Sequence, residues 1–500
     1  MLPSSPAPSP RSSPSEAFAS VDFAWTHRPP GCDLDALTDI QWRADACTPR
    51  SVLCFQCHDD GPSDAELYRR YLAASAFAVL VTNRRLDCFD ALRHKGVFVT
   101  RADAYGDTVA RLCDAFYPLP ADHWRIAAVT GTNGKTTTVK YLEALLGAAG
   151  ERVLSVGTLG LALNGVSQGA TGFTSPPLVE LRRLLAAYQD RADVLVTEAS
   201  SHALHQGRLA GLQFDAAAWT NFSVDHLDYH GTEAAYFTAK AGIVDHLPPG
   251  AALLTCSPAV AERLGRERPQ TPVALVRPIA ADAELLAELL AERPFLALDY
   301  NRANGALALA LAARILAPRG KRPPPHPWRA LRAVDGRFET FVCGNRTVVV
   351  DFAHTPDALD NVLGAIRAAF PQARVTTLFG CGGDRDRGKR PLMGAAVCRH
   401  ADHAIVTSDN PRFEDPEGII HAVLDGMGDC AEAPEVVLDR AEAIRRLFDR
   451  LAAAPAAARQ VALIAGKGHE RTIERNGAKT SFSDQDEVLR NFERLGWTRG

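Results

Sequence analysis

The sequence predicts a three-domain α/β protein: a central phosphate-loop-type domain with a mostly parallel sheet and helices on both faces, a Rossmann-like C-terminal domain and a small α/β N-terminal domain. Three observations predict it. A chain of 500 residues exceeds one ordinary core and fits about three domains. From residue 125 onward, short apolar runs alternate with polar turns and helical stretches, as in a parallel sheet flanked by helices. The stretch VTGTNGKTTTVKYL (129–142) then puts glycines, a lysine and threonines between a strand-like and a helix-like run, where a phosphate-binding loop belongs.

In chain order, residues 1–21 are rich in Pro and Ser and lack the apolar centre of a secretory signal, so they read as a disordered tail. Residues 22–122 mix FAVLVT and GVFVT with the amphipathic DAELYRRYLAASA, a small α/β domain, and YPLPADHW makes a proline joint. Residues 123–333 hold RIAAVTGTNGKTTTVKYLEALLGAAG, VLSVGTLG, VLVTEASSHAL and FDAAAWTNFS, each a strand running into a polar segment. Residues 334–500 repeat the arrangement with TVVVDFAHTPDALDNVLGAIRAAF, ARVTTLFGCGG, HAIVTSDNPR and VALIAGKGHE. Ligands of open α/β sheets gather beyond the carboxyl ends of strands, and the unusual residues stand there.

With 46% hydrophobic and 23% charged residues the chain reads as soluble and globular, and no apolar run is long enough to span a bilayer. A net charge of -4 gives no pull toward nucleic acid or anionic lipid. Neither charge nor composition predicts nucleic acid, a membrane or an obligate protein partner; the small-molecule substrates expected follow from the family resemblance that the motifs carry. The 11 cysteines lack metal-ligand spacing, Cys54 and Cys57 having no second half-site, and read as reduced thiols in a cytoplasm.

Between the strand IAAVT and the helix VKYLEALLGAAG lie Gly131, Thr132, Asn133, Gly134, Lys135, Thr136 and Thr137. Glycines let the backbone approach an anion, and the helix start offers free N–H groups and a positive dipole end. Lys135 suits terminal phosphates and the Thr136 hydroxyl suits Mg²⁺. Val129 stands where the general phosphate-loop pattern has glycine. A nicotinamide-type G-x-G-x-x-G fingerprint is excluded, because position 133 is Asn. Nor do Ser200, Ser201 and His202 make a hydrolase triad, since no G-x-S-x-G elbow accompanies them.

The form TGTNGKTTT resembles the ATP loop of the Mur ligases, the amide-forming enzymes of peptidoglycan precursor synthesis, and further segments follow in that family's order. They are TEASSHAL (197–204), NFSVDHLDYHG (221–231), YFTAK ending at Lys240, NRAN (301–304), DGRFE (335–339), DFAHTPDAL (351–359), GCGGDRDRGKRP (380–391), SDNPR (408–412) and GKGHE (466–470). The resemblance covers roughly residues 125–490. It implies ATP and Mg²⁺ as cofactors and an acyl-phosphate route to an amide. Within the family, DNPR resembles the signature of the branch that adds meso-diaminopimelate to UDP-N-acetylmuramoyl-L-alanyl-D-glutamate.

The resemblance implies the following roles. Lys135, Glu198, His226 and Lys240 form the catalytic set. Thr136 and Glu198 hold one Mg²⁺, while His226 and a carbamylated Lys240 serve a second, with His230 a weaker candidate beside them. Asn301, Asn304, Arg337 and Asp351 face the nucleotide, with His354 either a further candidate or a residue that only orders its loop. Thr174, Ser175, Ser200 and Arg208 meet the acceptor. Arg385, Asp409, Asn410, Arg412, Gly466 and Glu470 meet the amino acid; arginine reads a carboxylate with two prongs and glutamate accepts from an ammonium.

Two departures touch the acceptor side. Trp42 stands where relatives carry serine in an Asp-Ser-Arg motif, and Phe173-Thr174-Ser175-Pro176 replaces Asn-Thr-Thr-Pro. Phe352 stands for a tyrosine and keeps the ring. The alternative function is thus a paralogue joining an amino acid to a different carboxylate in a specialised pathway. A non-catalytic nucleotide binder predicts a damaged ligand set, yet Lys135, Glu198, His226 and Lys240 all stand.

Overall fold

The computed structural model describes residues 13–21, 25–57, 61–120, 122–278, 293–455 and 457–498. It has three main sheets in chain order, plus a small hairpin of Thr472–Arg475 and Ala478–Ser481. The N-terminal sheet runs Trp25–His27, Gly96–Val99, Val79–Thr82, Ser51–Phe55, Asp39–Gln41, with only the first pair antiparallel.

Within the stretch expected to be a tail, residues 1–12 lie outside the described residues, and Pro14–Ala19 is a helix. Ser13 and Glu16 make a reciprocal capping box, and Pro14 presets the first turn. Ala17 and Phe18 are buried, with Phe18 edge-on to Phe98 at 5.0 Å. Burial of those apolar side chains orders a segment whose composition alone suggests disorder.

Among the described residues the central sheet has eight strands. Its parallel part runs Val273–Leu275, Leu253–Thr255, Ala216–Trp219, Arg125–Thr130, Val194–Glu198 and Val153–Gly157; Gly160–Leu163 and Val166–Gly169 extend it antiparallel. The phosphate-loop strand sits between two partners, pairing Val129 with Glu198 and Thr130 with Trp219. That register brings three strand ends level and aims Glu198, the glycine loop and Asn221 at one edge. Helix Lys135–Ala148 packs Val139, Leu142 and Leu146 with Leu307, Leu311 and Ile315 of helix Asp299–Leu316. The loop therefore rests on a solid core.

The C-terminal sheet runs Glu339–Cys343, Arg346–Asp351, Gln460–Ala465, Arg374–Phe379, His403–Thr407, Glu435–Val437, parallel except at the first pair. Asp351 pairs with Ala465, so Asp351, Gly466, Gly380 and Asp409 emerge at one edge. Among the described residues no helix is long and apolar enough to cross a membrane. One cysteine pair departs from the expected reduced thiols. Cys398 and Cys430, 32 residues apart, form a disulfide because helix Lys389–His400 and the turn after helix Pro416–Leu424 meet there. Cys54 and Cys57 are separate buried thiols.

Candidate active site

A cavity of about 610 Å³ lies where the edges of the central and C-terminal sheets face each other. One end is the phosphate loop. Gly131 has φ +142°, and a Cβ there would lie 1.8 Å from Thr220 Oγ1. Gly134, at φ +82°, precedes the helix, and its Cβ would lie 2.6 Å from Asn304 Oδ1. Glycine is required at both by conformation and by space. Lys135 folds back, donating from Nζ to the carbonyls of Gly131 (2.9 Å) and Thr132 (3.0 Å). Burial lowers its pKa, opposed by the charges of Glu198 and Asp225.

Glu198 stands across the loop. Its Oε1 accepts from Thr136 Oγ1 at 3.0 Å and from the Thr158 N–H at 2.7 Å, while Oε2 accepts from Thr158 Oγ1 at 3.2 Å. Two hard oxygens from Thr136 and Glu198 thus meet at the helix start, a donor set that suits Mg²⁺. Among the described residues no three His, Cys, Asp or Glu side chains converge as a closed metal cage.

His226 adopts φ +54°, and its backbone N–H donates to Asp225 Oδ1 at 2.8 Å. Its ring lies 5.0 Å from that of His202, and burial pushes His226 down to about 3 and His202 down to about 4, so both are neutral. His230 bonds Ser201 Oγ at 3.0 Å. Lys240 does not line the cavity. It is 1% exposed and donates to the Gly131 carbonyl at 2.7 Å, over the Tyr236 ring, and burial lowers its pKa well below the usual range. Its β-carbon framework belongs to the buried face of helix Glu233–Ala241, which a motif comparison does not reveal.

Asn301, Asn304, Arg337 and Asp351, expected to face the nucleotide, line the same cavity with Tyr300 and Phe352. Asn301 already donates to the Phe295 carbonyl at 2.9 Å. The Arg337 guanidinium lies 4.3 Å from the Phe352 ring centre, and burial lowers its pKa. Asp351 accepts from the N–H groups of Phe338 and Ala353, both at 2.7 Å, while burial raises its pKa. His354 lines the same wall, its Nδ1 2.7 Å from the Phe352 carbonyl.

Thr174, Ser175, Ser200 and Arg208 also converge. Ser175 Oγ donates to the Glu198 carbonyl at 2.7 Å, and Arg208 donates to the Ser175 carbonyl at 2.9 Å. Trp42 meets Phe173 edge-on at 5.6 Å, and the Arg208 guanidinium lies 5.6 Å from the same Phe173 ring. The two departures from the family pattern therefore touch each other.

At the far end Arg385, Asp409, Asn410, Arg412, Gly466 and Glu470 line the cavity. Arg412 has φ +52° and donates to the Gly383 carbonyl at 2.7 Å. Asn410 Nδ2 donates to Glu470 at 2.8 Å. The fully buried Lys467 donates to Glu470 Oε2 at 2.8 Å and to Asn410 Oδ1 at 3.3 Å. Sequence reasoning missed Lys467, Thr158, Asp225 and Lys389. Lys467 lies inside GKGHE and Lys389 inside GCGGDRDRGKRP, so each motif held a signal; Thr158 had none.

The chain matches family models described as "Mur ligase middle domain" over residues 129–283 and "Mur ligase, glutamate ligase domain" over 336–468. A UDP-N-acetylmuramoyl-L-alanyl-D-glutamate--2,6-diaminopimelate ligase of Synechococcus elongatus is 36% identical over 480 residues, 91% of this chain and 93% of that protein. The enzyme of the same name from Thermosynechococcus vestitus is 38% identical over 407 residues, 76% and 78% of the two chains. A solved structure with that enzyme name superimposes with TM-score 0.56 at 26% identity, covering 97% of this chain and 100% of that one.

Proposed function

This chain belongs to the Mur ligase family of ATP-dependent ligases, and from that premise we propose that it adds meso-diaminopimelate to UDP-N-acetylmuramoyl-L-alanyl-D-glutamate. One observation carries the reading: a single cavity has a phosphate loop at one end and, at the other, Arg385 and Arg412 with Asn410 and Glu470. That pairing suits an amine that reacts near a triphosphate while a distant zwitterionic end is read by guanidinium and carboxylate groups. We place the enzyme in the cytoplasm, where ATP is made available to such a reaction.

In this reading an acceptor carboxylate oxygen attacks the γ-phosphorus of ATP, the β–γ bridging bond breaks and ADP leaves. The amine, as its free base, then attacks the acyl-phosphate carbonyl, and inorganic phosphate departs from the tetrahedral intermediate with the proton that the nitrogen loses. Both steps concentrate negative charge, so positioning and electrostatics dominate. Lys135 releases its loop carbonyls to meet the β- and γ-phosphates. Arg208 and Ser200 hold the acceptor beside Glu198, and the neutral imidazoles of His202 and His226 offer lone pairs without adding charge.

Thr136 and Glu198 would hold one Mg²⁺, which supplies Lewis-acid neutralisation of phosphate charge. His226 would serve the second, and Lys240, which donates to the Gly131 carbonyl and lies outside the cavity wall, would join it only as a carbamate turned toward the cavity. Burial supports carbamylation of Lys240, because a neutral amine is the form that adds CO₂. ¹³C NMR of the folded protein under ¹³C-bicarbonate tests it: a carbamate resonance is expected in the wild type and not in Lys240→Ala, and its absence from the wild type would remove that ligand from the scheme.

The Trp42–Phe173 contact favours the second reading, a ligase for another carboxylate acceptor, because it puts rings where the resemblance expects a hydroxyl and an amide. Purified protein with ATP, meso-diaminopimelate and UDP-N-acetylmuramoyl-L-alanyl-D-glutamate decides. Phosphate release requiring all three supports the first reading; silence with that acceptor, and release with another carboxylate, supports the second.

A further inference from the structure

Asp357 belongs to the C-terminal domain, yet it grips the central one. It lies in the first turn of helix Pro356–Ala369, whose N-cap is Thr355. Its Oδ2 accepts from Asn133 Nδ2 at 3.0 Å and from Ser223 Oγ at 3.1 Å. Asn133 is the middle of the phosphate loop. The other side of Asn133 is already clamped: its N–H donates to Asn221 Oδ1 at 2.9 Å, and its carbonyl accepts from Thr220 Oγ1 at 2.5 Å and Asn221 Nδ2 at 3.2 Å. Ser223 is tied to the same loop, its N–H donating to Thr132 Oγ1 at 3.1 Å, and it stands two residues before Asp225 in the segment leading to His226. One carboxylate oxygen thus joins the loop for the triphosphate to the segment that presents His226.

A carboxylate beside a triphosphate loop opposes the ligand's charge. Its contribution is therefore in the two hydrogen bonds, and the positive end of its own helix stabilises it there. We propose that Asp357 is a positioning residue for the ligase reaction. It couples docking of the C-terminal domain, which brings the amino-acid pocket, to the geometry of the phosphate loop and of His226. The inference rests on the family's ATP-dependent reaction and is independent of which acceptor is used.

The test compares Asp357→Ala, Asp357→Asn, Asn133→Ala and the Asp357→Ala/Asn133→Ala pair. Asp357→Ala lowers kcat at least about tenfold while the KM for ATP stays within about twofold, because loop contacts to phosphate survive and alignment does not. Asp357→Asn keeps an oxygen acceptor and stays within about threefold of wild type. The double variant loses less than the product of the single losses. Backbone hydrogen exchange on the full chain gives an arm that needs no acceptor: residues 131–134 and 221–226 exchange faster in Asp357→Ala, while the helix from 135 to 148 does not. An unchanged kcat, fully multiplicative losses or unchanged exchange in both segments overturns the proposal. A wild-type enzyme silent with the muramoyl dipeptide strikes the acceptor reading instead, and the exchange arm still decides this one. Should Asp357→Ala fail to fold, Ser223→Ala with Asn133→Ala removes the same two bonds from the other side, with the same loss of kcat expected and an unchanged kcat again overturning the idea.

Discussion

Thr136 donates to Glu198 at 3.0 Å, joining the first turn of the phosphate-loop helix to the end of the neighbouring parallel strand. The sheet register produces this contact, since Glu198 pairs with Val129 just before the loop. Packing leaves no slack behind it: a Cβ on Gly157 would lie 2.3 Å from Glu198 Oε1.

Glu198→Gln keeps the shape and removes the charge. The Thr158 N–H still finds an acceptor at Oε1, so the fold should hold. A neutral amide is a poor ligand for a hard divalent cation. Turnover should fall by about 100-fold or more, with a raised Mg²⁺ requirement. Initial rates across a Mg²⁺ titration check it, and a wild-type Mg²⁺ dependence in this variant would remove Glu198 from the metal site.

Arg412→Ala should raise the KM for the amino acid by about tenfold or more with little change in the KM for ATP. Arg412 is held by the Gly383 carbonyl and sits 3.9 Å from Glu474, so its guanidinium is preorganised at the far end of the cavity. Steady-state kinetics with each substrate varied separately test this. An unchanged amino-acid KM would mean that Arg412 only braces its loop.

Much of this site was legible because its chemistry is written in contiguous motifs. Gly131, Gly134 and Lys135 carry their meaning in their spacing, and Arg412 and Glu470 sit in strand-end segments that the α/β pattern places on one edge. What escaped depends on long-range geometry. Thr158 matters only because the strand it follows, Val153–Gly157, pairs with the strand that ends at Glu198, and Asp357 only because a helix of one domain docks on a loop of another. Lys240 shows the converse: the motif marks it, but helix packing seats its amine under the Gly131 carbonyl and out of the cavity wall. Phe18 makes the same point for the N-terminal stretch, where a local Pro/Ser bias was overruled by burial against Phe98.

Stability should fall on mild acidification through His354 and His469, whose rings flank Phe352. Burial pushes His354 down to about 4 and His469 down to about 3, from an ordinary value of 6.5. Both are neutral in the folded protein, whereas in the unfolded chain they take protons below pH 6.5. Their contribution is thus complete above pH 6.5 and is lost as pH falls from there toward 4. Lys389, Asp225 and Arg337 face His354, and Arg337, Lys467 and His354 face His469. The loss should be on the order of 1 kcal/mol per ring between pH 6.5 and 5. Urea midpoints at those two pH values, compared with His469→Gln, give the measure. Equal pH slopes in wild type and variant would exclude His469 from the effect.

Stability and function should separate at one buried ion pair. Arg440 and Asp484 are fully buried and bonded twice, Nε and one terminal nitrogen each reaching a carboxylate oxygen at 2.8 Å. Arg440 also donates to the Ala465 carbonyl at 2.9 Å and to the Ser408 carbonyl at 3.5 Å. Those two carbonyls immediately precede Gly466 and Asp409, both on the cavity wall where we propose the amino acid binds. Asp484→Ala leaves a buried guanidinium unpaired and should cost about 3–5 kcal/mol. Replacing both partners, Arg440→Met with Asp484→Leu, removes the unpaired charge and should recover most of that stability. It does not restore the two bonds to the strand ends. The double variant should therefore fold well yet keep a raised KM for the amino acid, with the KM for ATP unchanged. Chemical denaturation and separate substrate titrations read the two effects. A double variant with normal amino-acid KM would show that the pair serves the core alone.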